Sequence, residues 1–303
     1  MKYGFDIGGT KMEIVAFDDD FNIQFQQRKP TPSSNYNSFL DSIVELIKQA
    51  DAVCGITNEI GIGMPGVINN KTGKLIASNI PGASGQNIVS DLKTRIARNI
   101  AVGNDAKCFT ISEANGGAAD GLEIVFGAIL GTGVGGGLCI NGQLISGASG
   151  ATGEWGHSPL PAFLYKKYDL PLLACGCGLQ SCIEKYISGS GVIELYYLCS
   201  GNRLSETHEI IDLMRQGDIN ANKAFRIFID ILACSLATMV NVYDPNAIVF
   251  GGGLSKVDEI YQLLPQQLNK YIISSISMPL LLKAKFGDSS GVRGAAMLLQ
   301  QIK

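Results

Sequence analysis

The amino-acid sequence has 303 residues, of which 46% are hydrophobic and 17% charged, and its formal net charge is −3 at pH 7. A chain of this length predicts two domains rather than one. The slight negative charge excludes the basic stripe that nucleic-acid binding usually requires. No charged and then apolar leader precedes the first strand-like residues. We therefore expect a cytoplasmic protein whose eight cysteines are thiols rather than disulfides.

The hydrophobic pattern alternates between strand and helix along the chain. It predicts strands over 2–6, 11–17 and 23–28, a helix over 36–50, a strand over 59–63, a helix over 89–97, a strand over 100–102 and a helix over 106–115. A second series predicts strands over 123–130 and 137–140, helices over 182–188, 192–198, 206–215 and 221–243, a strand over 247–250 and a helix over 292–301. The most apolar stretch, 225–243, contains Asp230 and Asn241, so we interpret it as a buried helix rather than a membrane span.

A domain boundary is predicted near 118–122, because Gly116 and Gly117 end the preceding helix. We predict an N-terminal α/β domain over 1–118 and a larger α/β domain over 119–289. The terminal segment, 290–303, is expected to form a helix that packs back on the first domain.

Two predicted strands end in similar glycine turns, Asp6-Ile7-Gly8-Gly9-Thr10 and Leu130-Gly131-Thr132-Gly133, which suggests a duplicated β-hairpin with one copy per domain. Glycine lets backbone N–H groups approach phosphate oxygens, and Asp6 can organise water around Mg²⁺. Thr10 adds a hydroxyl donor and Lys11 a positive charge. Taken alone, such a segment is equally consistent with a tight hairpin turn whose glycines adopt positive φ.

The segment from Gly131 to Gly136 also matches the G-x-G-x-x-G pattern of dinucleotide-binding proteins. That pattern requires a helix after the loop, whereas a strand is predicted from Gly137 onwards, so a nicotinamide dehydrogenase is excluded. The sequence has no G-x-x-x-x-G-K-[ST] loop, which excludes the usual P-loop kinases. A third segment, Gly251-Gly252-Gly253, follows the strand over 247–250. Together the three segments predict a cradle for ATP, with the third against the adenosine.

Asn104 and Asp105 lie where a predicted strand meets a predicted helix. Either residue can cap that helix, and Asp105 can also act as the general base that accepts the proton of an attacking hydroxyl. The two roles do not exclude one another. A sugar acceptor also needs polar side chains that match its hydroxyls, and the candidates are Asn79, Glu154, His157 and Glu184.

Cys175, Cys177 and Cys182 lie within eight residues, and His157 is one of only two histidines. Three thiolates and one imidazole predict a closed, tetrahedral, structural Zn²⁺ site. Free thiols and a Cys-x-Cys redox pair are the alternatives. We expect zinc to hold the loop that carries Glu184 against His157 and so to shape the acceptor pocket.

Five motifs follow one another along nearly the whole chain: Phe-Asp-Ile-Gly-Gly-Thr-Lys from Phe5, Asn104-Asp105, Leu-Gly-Thr-Gly-Val-Gly-Gly-Gly from Leu130, Gly-Glu-x-Gly-His from Gly153, and Cys-Gly-Cys-Gly-x-x-x-Cys-x-Glu from Cys175. In these motifs the chain resembles the ROK (repressor, open reading frame, kinase) sugar kinases. The resemblance implies an α/β actin-like ATPase (ribonuclease H-like) fold, with two domains around a cleft. It also implies ATP-dependent phosphorylation of N-acetyl-D-glucosamine at the 6-hydroxyl. Ser181 departs from the family, which commonly has glycine before the last cysteine.

The resemblance further implies roles for individual residues. Asp105 would be the catalytic base, and Asn104, Glu154, His157 and Glu184 would contact the sugar. Zinc would be bound by His157, Cys175, Cys177 and Cys182, and a homodimer is expected. ATP would be bound by the glycine segments: Gly4, Phe5, Asp6, Ile7, Gly8, Gly9, Thr10, Lys11, Gly131, Thr132, Gly133, Val134, Gly135, Gly136, Gly137 and Leu138, with Gly252 and Gly253.

Several alternatives stay open or are disfavoured. A glucokinase, an N-acetylmannosamine kinase or a fructokinase of the same family would share the catalytic motifs. A sugar-sensing repressor would carry a helix-turn-helix segment before Asp6, where only five residues stand. A filament-forming or chaperone-like ATPase would need neither a sugar pocket nor a zinc loop.

Overall fold

The computed structural model describes residues 1–57, 59–69, 71–77 and 79–301. The chain forms two compact units. The first comprises Met1–Gly121, Gly137–Gly153 and the segment from Lys285 onwards, and the second comprises Leu122–Gly136 and Glu154–Ala284. The chain therefore passes between the units four times. The sequence-based division kept 119–289 in one domain, whereas the structure groups 137–153 with the first unit.

The first series of elements is β1 (Lys2–Ile7), β2 (Lys11–Phe17), β3 (Ile23–Pro30), α1 (Tyr36–Cys54), β4 (Glu59–Met64), β5 (Val67–Ile68), β6 (Leu75–Ile76), α2 (Ile88–Ile96), β7 (Asn99–Asn104) and α3 (Asp105–Ala114). The second series is β8 (Ile124–Leu130), β9 (Val134–Ile140), β10 (Gln143–Leu144), α4 (Ala162–Tyr168), α5 (Glu184–Ile187), α6 (Gly189–Ser200), α7 (Thr207–Arg215), α8 (Ile219–Tyr243), β11 (Ala247–Gly251), α9 (Asp258–Leu268), β12 (Leu280–Lys283) and α10 (Ser290–Met297). Short 3-10 turns occur at Trp155–His157, Gly253–Lys256, Gly287–Ser289 and Leu298–Gln301.

The first unit is built on a five-stranded sheet with the order β3-β2-β1-β4-β7. β1 pairs antiparallel with β2 and parallel with β4, and β4 pairs parallel with β7. Parallel strands end at one edge of a sheet. Here Asp6 lies opposite Gly63, and Met64 lies opposite Asn104. The edge formed by the carboxyl ends of β1, β4 and β7 therefore carries both Asp6 and the start of α3.

Helices cover both faces of this sheet. On one face α1 buries Phe39, Ile43 and Leu46 with the apolar side chains of β1, β2 and β4. On the other face α10 lies so close that a Cβ on Gly61 would stand 1.7 Å from the backbone oxygen of Ala295. Glycine is required there by space alone. α10 is thus part of the core of the first unit, although the second unit precedes it in the chain.

The second sheet has the order β10-β9-β8-β11-β12. It repeats the arrangement of the first sheet. The strand pair β8 and β9 is joined by a glycine turn, β8 pairs parallel with β11, and β11 pairs parallel with β12. The 25-residue α8 is long and apolar enough to cross a membrane, but 72% of its most apolar window is buried inside the structure. This burial agrees with its interpretation as a core helix.

Candidate active site

The start of α3 places Asn104 and Asp105 at the sheet edge of the first unit. The Asn104 side chain caps the helix, because its oxygen accepts hydrogen bonds from the backbone N–H groups of Ala106 (2.9 Å) and Lys107 (3.3 Å). Its amide nitrogen donates to the backbone oxygen of Gly66 (3.1 Å). Asp105 Oδ1 accepts from the N–H of Ala106 (2.8 Å). Asn104 is therefore held on two sides and sets the position of Asp105.

Two carboxyl groups of this edge are poorly hydrated. Burial raises the pKa of Asp105 above its usual value, although backbone hydrogen bonds oppose the shift. Burial, followed by the negative charges of Asp105 and Glu13, raises the pKa of Asp6 to about 6. Acidic groups in such surroundings gain from a nearby cation, and carboxylate oxygens are ligands that Mg²⁺ prefers. The edge therefore fits both a proton acceptor and a Mg²⁺-bound phosphate group.

The first glycine turn joins β1 to β2. Neither Gly8 nor Gly9 has a positive φ, so the explanation by left-handed turn geometry is wrong for this pair. Close approach explains Gly9 instead, because a Cβ there would stand 2.7 Å from the backbone oxygen of Asn79. The N–H of Gly8 donates to the oxygen of Lys11 (2.8 Å), which closes the turn. The structure thus brings the predicted sugar ligand Asn79 beside the predicted phosphate loop.

The remaining predicted phosphate residues of the first unit differ in exposure. Phe5 and Ile7 are fully buried in β1, and a Cβ on Gly4 would stand 2.1 Å from the backbone oxygen of Val292 in α10. These three residues belong to the core that supports the turn. Thr10 and Lys11, by contrast, are exposed. Among Gly4 to Lys11, only Asp6, Thr10 and Lys11 therefore offer side chains to a ligand.

The second glycine turn, between β8 and β9, is held by the first residue of α5 and by the start of α6. Glu184 Oε2 accepts from the N–H of Val134 (2.8 Å), and a Cβ on Gly133 would stand 2.6 Å from the same oxygen. The N–H of Gly131 donates to the oxygen of Gly133 (2.9 Å), and the oxygen of Gly131 accepts from Gly189 (2.7 Å). Glu184, a predicted sugar ligand, therefore shapes a predicted phosphate turn, which sequence spacing did not reveal.

Strand β9 continues from this turn, and its predicted ATP ligands after Val134 are closely packed: Gly135, Gly136, Gly137 and Leu138. The oxygen of Gly135 accepts from the indole N–H of Trp155 (2.8 Å), and a Cβ on Gly136 would stand 2.9 Å from the same ring. Trp155 is 3% exposed and is a core residue. Gly137 and Leu138 belong to the first unit, where a Cβ on Gly137 would stand 2.5 Å from the hydroxyl oxygen of Thr110 in α3.

A cavity of about 730 Å³ opens beside the second glycine turn in the second unit. Gly131 and Thr132 line one side of it, and Gly253 lines another. Gly252 has a φ of 80°, and a Cβ there would stand 2.5 Å from the backbone oxygen of Leu130. Further lining residues from α6 and α7 were missed by the sequence analysis: Ser190, Ile193, Glu206, Thr207, His208, Ile211 and Asp212. This mixture of apolar and polar groups suits a base and a ribose.

The predicted metal ligands His157, Cys175, Cys177 and Cys182 come together, with their donor atoms within 4.8 Å of one another. His157 Nδ1 lies 3.6 Å from Cys175 Sγ, and the sulfurs of Cys177 and Cys182 are 3.6 Å apart. Zn–S bonds of about 2.3 Å and Zn–N bonds of about 2.0–2.1 Å place tetrahedral ligands at about these separations. The donor set and its spacing therefore fit Zn²⁺.

The segment between His157 and Cys175 is anchored to α8 by Asp230, whose side chain is 2% exposed. Asp230 accepts hydrogen bonds from Lys167 Nζ (2.7 Å) and from the hydroxyls of Tyr168 (2.6 Å) and Tyr271 (2.9 Å), and also from Gln267. Burial alone would raise the pKa of Asp230, but these donors hold it below its usual value. α4, which carries Lys167 and Tyr168, lies between His157 and Cys175 in sequence. This network therefore fixes the segment that joins these two predicted metal ligands.

Ser181, the departure from the family pattern, has a φ of 63° and is buried. Left-handed backbone costs a non-glycine residue about 1–2 kcal/mol, and glycine adds about 0.5–1 kcal/mol of unfolded-state entropy. Ser181→Gly is therefore expected to raise the free energy of unfolding of the zinc-loaded protein by about 0.5–1 kcal/mol, measured by urea denaturation. Ser181→Ala keeps the Cβ and, like Ser181→Gly, removes a hydroxyl oxygen that is buried without a hydrogen-bond partner among the described residues, so it is the matched control against which the gain from relieved backbone strain is measured. If the glycine variant is no more stable than the alanine variant, the backbone at Ser181 is not strained.

The predicted sugar ligands of the second unit lie in or beside the cluster formed by His157 and the three cysteines. His157 Nε2 lies 3.9 Å from Glu154 Oε2, and Glu184 Oε1 lies 3.8 Å from Cys175 Sγ. The side chains of His157 and Glu154 are 32% and 30% exposed, so both are available to a ligand. Asn79, Asn104 and Asp105 lie in the first unit.

The chain is similar to known proteins over nearly its whole length. The sequence profile described as ROK family matches residues 2–302. The N-acetylgalactosamine kinase AgaK of Shewanella sp. (strain ANA-3) is 42% identical over 298 residues, which cover 98% of this chain and 96% of that protein. The N-acetyl-D-glucosamine kinase of Salmonella paratyphi C (strain RKS4594) is 42% identical over 300 residues, which cover 98% and 99%.

Among solved structures, a ROK family glucokinase from Streptomyces griseus in complex with glucose and AMPPNP is 27% identical, with a TM-score of 0.78 and 99% of each chain covered. The resemblance seen in the five motifs is confirmed, and with it the α/β actin-like ATPase fold. The chain belongs to the ROK family.

Proposed function

We propose that the protein is a sugar kinase that transfers the terminal phosphoryl group of ATP to the 6-hydroxyl of N-acetyl-D-glucosamine. The observation that carries the proposal is the Asp105 carboxylate, desolvated and oriented at the start of α3. It accepts the proton of the attacking hydroxyl while the new O–P bond forms and the bond from the terminal phosphorus to the bridging oxygen breaks. The products are ADP and N-acetyl-D-glucosamine 6-phosphate.

The acceptor is proposed to be an N-acetylhexosamine because the two relatives at 42% identity are kinases of N-acetylglucosamine and of N-acetylgalactosamine. These sugars differ in the configuration of a single hydroxyl, at C4. N-Acetylgalactosamine is therefore the second candidate, supported by the equal identity. Hydroxyls desolvated in the site need matched donors and acceptors, which the proposal assigns to these side chains: Asn79, Asn104, Glu154, His157 and Glu184.

ATP is proposed to bind through the glycine turns, with Gly8 to Lys11 and Gly131 to Leu138 facing the phosphates. The adenosine would occupy the 730 Å³ cavity, against Gly252 and Gly253. Mg²⁺ bound to ATP would neutralise phosphate charge, and Asp6 would hold its water shell. Asp6, near the end of β1, and Asp105, directly after β7, lie at the same sheet edge with β4 between them, which supports placing the phosphoryl donor and the general base at that edge.

Zn²⁺ is proposed to be structural and to orient His157. Nδ1 faces the sulfurs, at 3.6 Å from Cys175, while Nε2 faces Glu154 at 3.9 Å. A neutral imidazole with Nδ1 on the metal carries its proton on Nε2, so that nitrogen is a donor for Glu154 or for a sugar hydroxyl. The metal thus fixes which hydrogen bonds His157 offers to the acceptor.

We also propose that the protein is a cytoplasmic homodimer. A reducing compartment would keep the eight cysteines of the chain as thiols, which the zinc proposal requires of Cys175, Cys177 and Cys182. Sedimentation equilibrium at micromolar concentration measures the subunit number directly.

The test of the proposed function is an ATP-coupled assay across N-acetylglucosamine, N-acetylgalactosamine, N-acetylmannosamine, glucose, mannose and fructose. We expect the highest kcat/KM for N-acetylglucosamine, at least about tenfold above glucose, because contacts to the acetamido group are lost with glucose. A higher value for another sugar would move the assignment to that sugar. ATP turnover that needs no sugar, or sequence-specific DNA binding, would contradict a sugar kinase.

A further inference from the structure

Lys107 lies two residues after Asp105 on α3 and is only 5% exposed. Lysine is seldom buried this deeply, because its ammonium loses hydration unless protein acceptors replace the water. Here Nζ donates to the backbone oxygens of Ser146 (3.3 Å) and Gly150 (2.6 Å). All of these residues belong to the first unit. The contact therefore joins the helix of the proposed base to a loop about forty residues away in sequence.

The loop over 146–153 makes backbone hydrogen bonds of its own from Gly150 to Gly147 (3.3 Å) and from Thr152 to Ser146 (3.4 Å), and both are long. It consists of small residues, and its three glycines, Gly147, Gly150 and Gly153, have φ angles of 75°, 77° and 93°. Residues 146–149 and 151 are exposed. A loop of small residues and glycines loses much backbone conformational entropy when it adopts one conformation, and its short side chains gain little packing in return. Charge-assisted hydrogen bonds from a buried ammonium offset part of that cost.

α3 also holds the segment that leads into this loop. The side-chain nitrogen of Asn115, which follows the helix, donates to the oxygen of Gly142 (3.1 Å), and Thr110 packs against Gly137. With Lys107, these contacts connect α3 to residues 137–153 at three places. Glu154, the next residue, is a proposed sugar ligand. One helix therefore carries the proposed base and fixes the chain that ends at a proposed sugar ligand.

We propose that Lys107 is a positioning residue for the sugar acceptor. It fixes the 146–153 loop against α3, and this loop leads directly into Glu154. The inference rests on the proposed function, because it assumes that Glu154 contacts the acceptor. It assigns Lys107 no contact with the reacting atoms and no part in binding ATP.

Lys107→Met tests this role, because methionine keeps an unbranched stem and removes the three donors. We expect amide hydrogen exchange over 147–153 to become at least about tenfold faster, since the carbonyl contacts are lost. In a steady-state assay the KM for the sugar should rise about tenfold, while the KM for ATP stays within about twofold. Lys107→Arg, which retains a cationic donor, should recover part of both changes.

Arg98→Met is the matched control. Arg98 is also a cation of the first unit, with a side chain 13% exposed, but it pairs with Asp51 at the opposite end of β7 from Asn104. Its loss should lower stability and leave both the exchange of 147–153 and the KM for the sugar unchanged. If Lys107→Met does not fold, Lys107→Gln removes the charge and keeps a donor, and the same two measurements apply.

Unchanged exchange over 147–153, or equal changes in the KM values for sugar and ATP, would overturn the role of Lys107. A wild-type protein that phosphorylates no sugar would instead overturn the proposed function. In that case the exchange measurement still decides whether Lys107 fixes the loop. The two failures are therefore distinguishable.

Discussion

Replacement of Asp105 by asparagine is expected to lower kcat by about 10²-fold or more, because the amide cannot accept the proton of the attacking hydroxyl. The helix cap does not depend on the carboxylate, since Asn104 accepts from the same backbone N–H groups. Affinity for ATP and sugar should therefore persist. Single-turnover kinetics together with calorimetric binding of both ligands separate the loss of chemistry from a loss of binding.

The pH dependence of the wild-type enzyme provides a second measurement on Asp105. The base works only as a carboxylate, and burial raises its pKa. Activity should therefore fall on acidification at a higher pH than an exposed aspartate would give. The unfolded chain has the lower pKa, so stability falls as the pH rises from the unfolded-state pKa to the folded-state pKa, and the full cost of the buried ionised group is present above the latter. Asp105→Asn should consequently be at least as stable as wild type at pH 7.

Asp41→Asn is the control for this prediction, because the Asp41 side chain is 69% exposed and pairs with Arg95 on the surface of the first unit. Its kcat, and the pH at which its activity falls on acidification, should match those of wild type. Near-normal turnover in Asp105→Asn would refute the base assignment. A large loss of stability in that variant would show that the carboxylate is structural.

Loss of the proposed zinc ligand Cys182 is expected to have the largest effect on stability. Its side chain is 1% exposed and lies beside His157 and Cys177. Elemental analysis should find about one zinc per wild-type chain and almost none in Cys182→Ser. Because metal binding energy contributes to folding, the free energy of unfolding should fall by about 3 kcal/mol or more. The KM for the sugar should rise more than the KM for ATP, since His157 loses its orientation.

Cys199→Ser is the matched control, because Cys199 lies half-buried in α6 outside the cysteine cluster. It should retain zinc and kinetics close to wild type. Chelation of the wild-type protein should reproduce the effect of Cys182→Ser, and added zinc should reverse it. A metal-free preparation with full activity and unchanged stability would refute a structural zinc.

Much of the fold could be predicted because its signals are local. The apolar periodicity of α1 and the apolar runs of β2 and β8 lie within single elements, and the strand ends are marked by the glycine turns that follow them. The strand β12 and the helices α4 and α9 were missed. α9 contains Pro265, which ordinarily argues against a helix, and β12 has only four residues. Short or interrupted elements owe their conformation to partners that are distant in sequence.

The sequence predicted the types of residue at the site better than it predicted the contacts between them. The spacing of Cys175, Cys177 and Cys182 correctly indicated that these side chains lie together. The contact of Glu184 with Val134 and the packing of Gly9 against Asn79 depend on chain crossings between remote segments. No local pattern announces them. Gly9 shows the difference well: the residue type was anticipated, but its physical reason is lack of space rather than turn geometry.

The position of α10 has a consequence for biosynthesis. During translation the strands of the first unit emerge early, but α10, which buries Val292 and Ala296 with Val15 and Phe17, emerges only after the entire second unit. One face of the nascent sheet thus stays uncovered while more than a hundred residues are still being added. Such exposed apolar surface is what ribosome-associated chaperones bind. Final closure of the first core is therefore a late, post-elongation event, and messages cut short before Ser290 would yield a chain prone to aggregation.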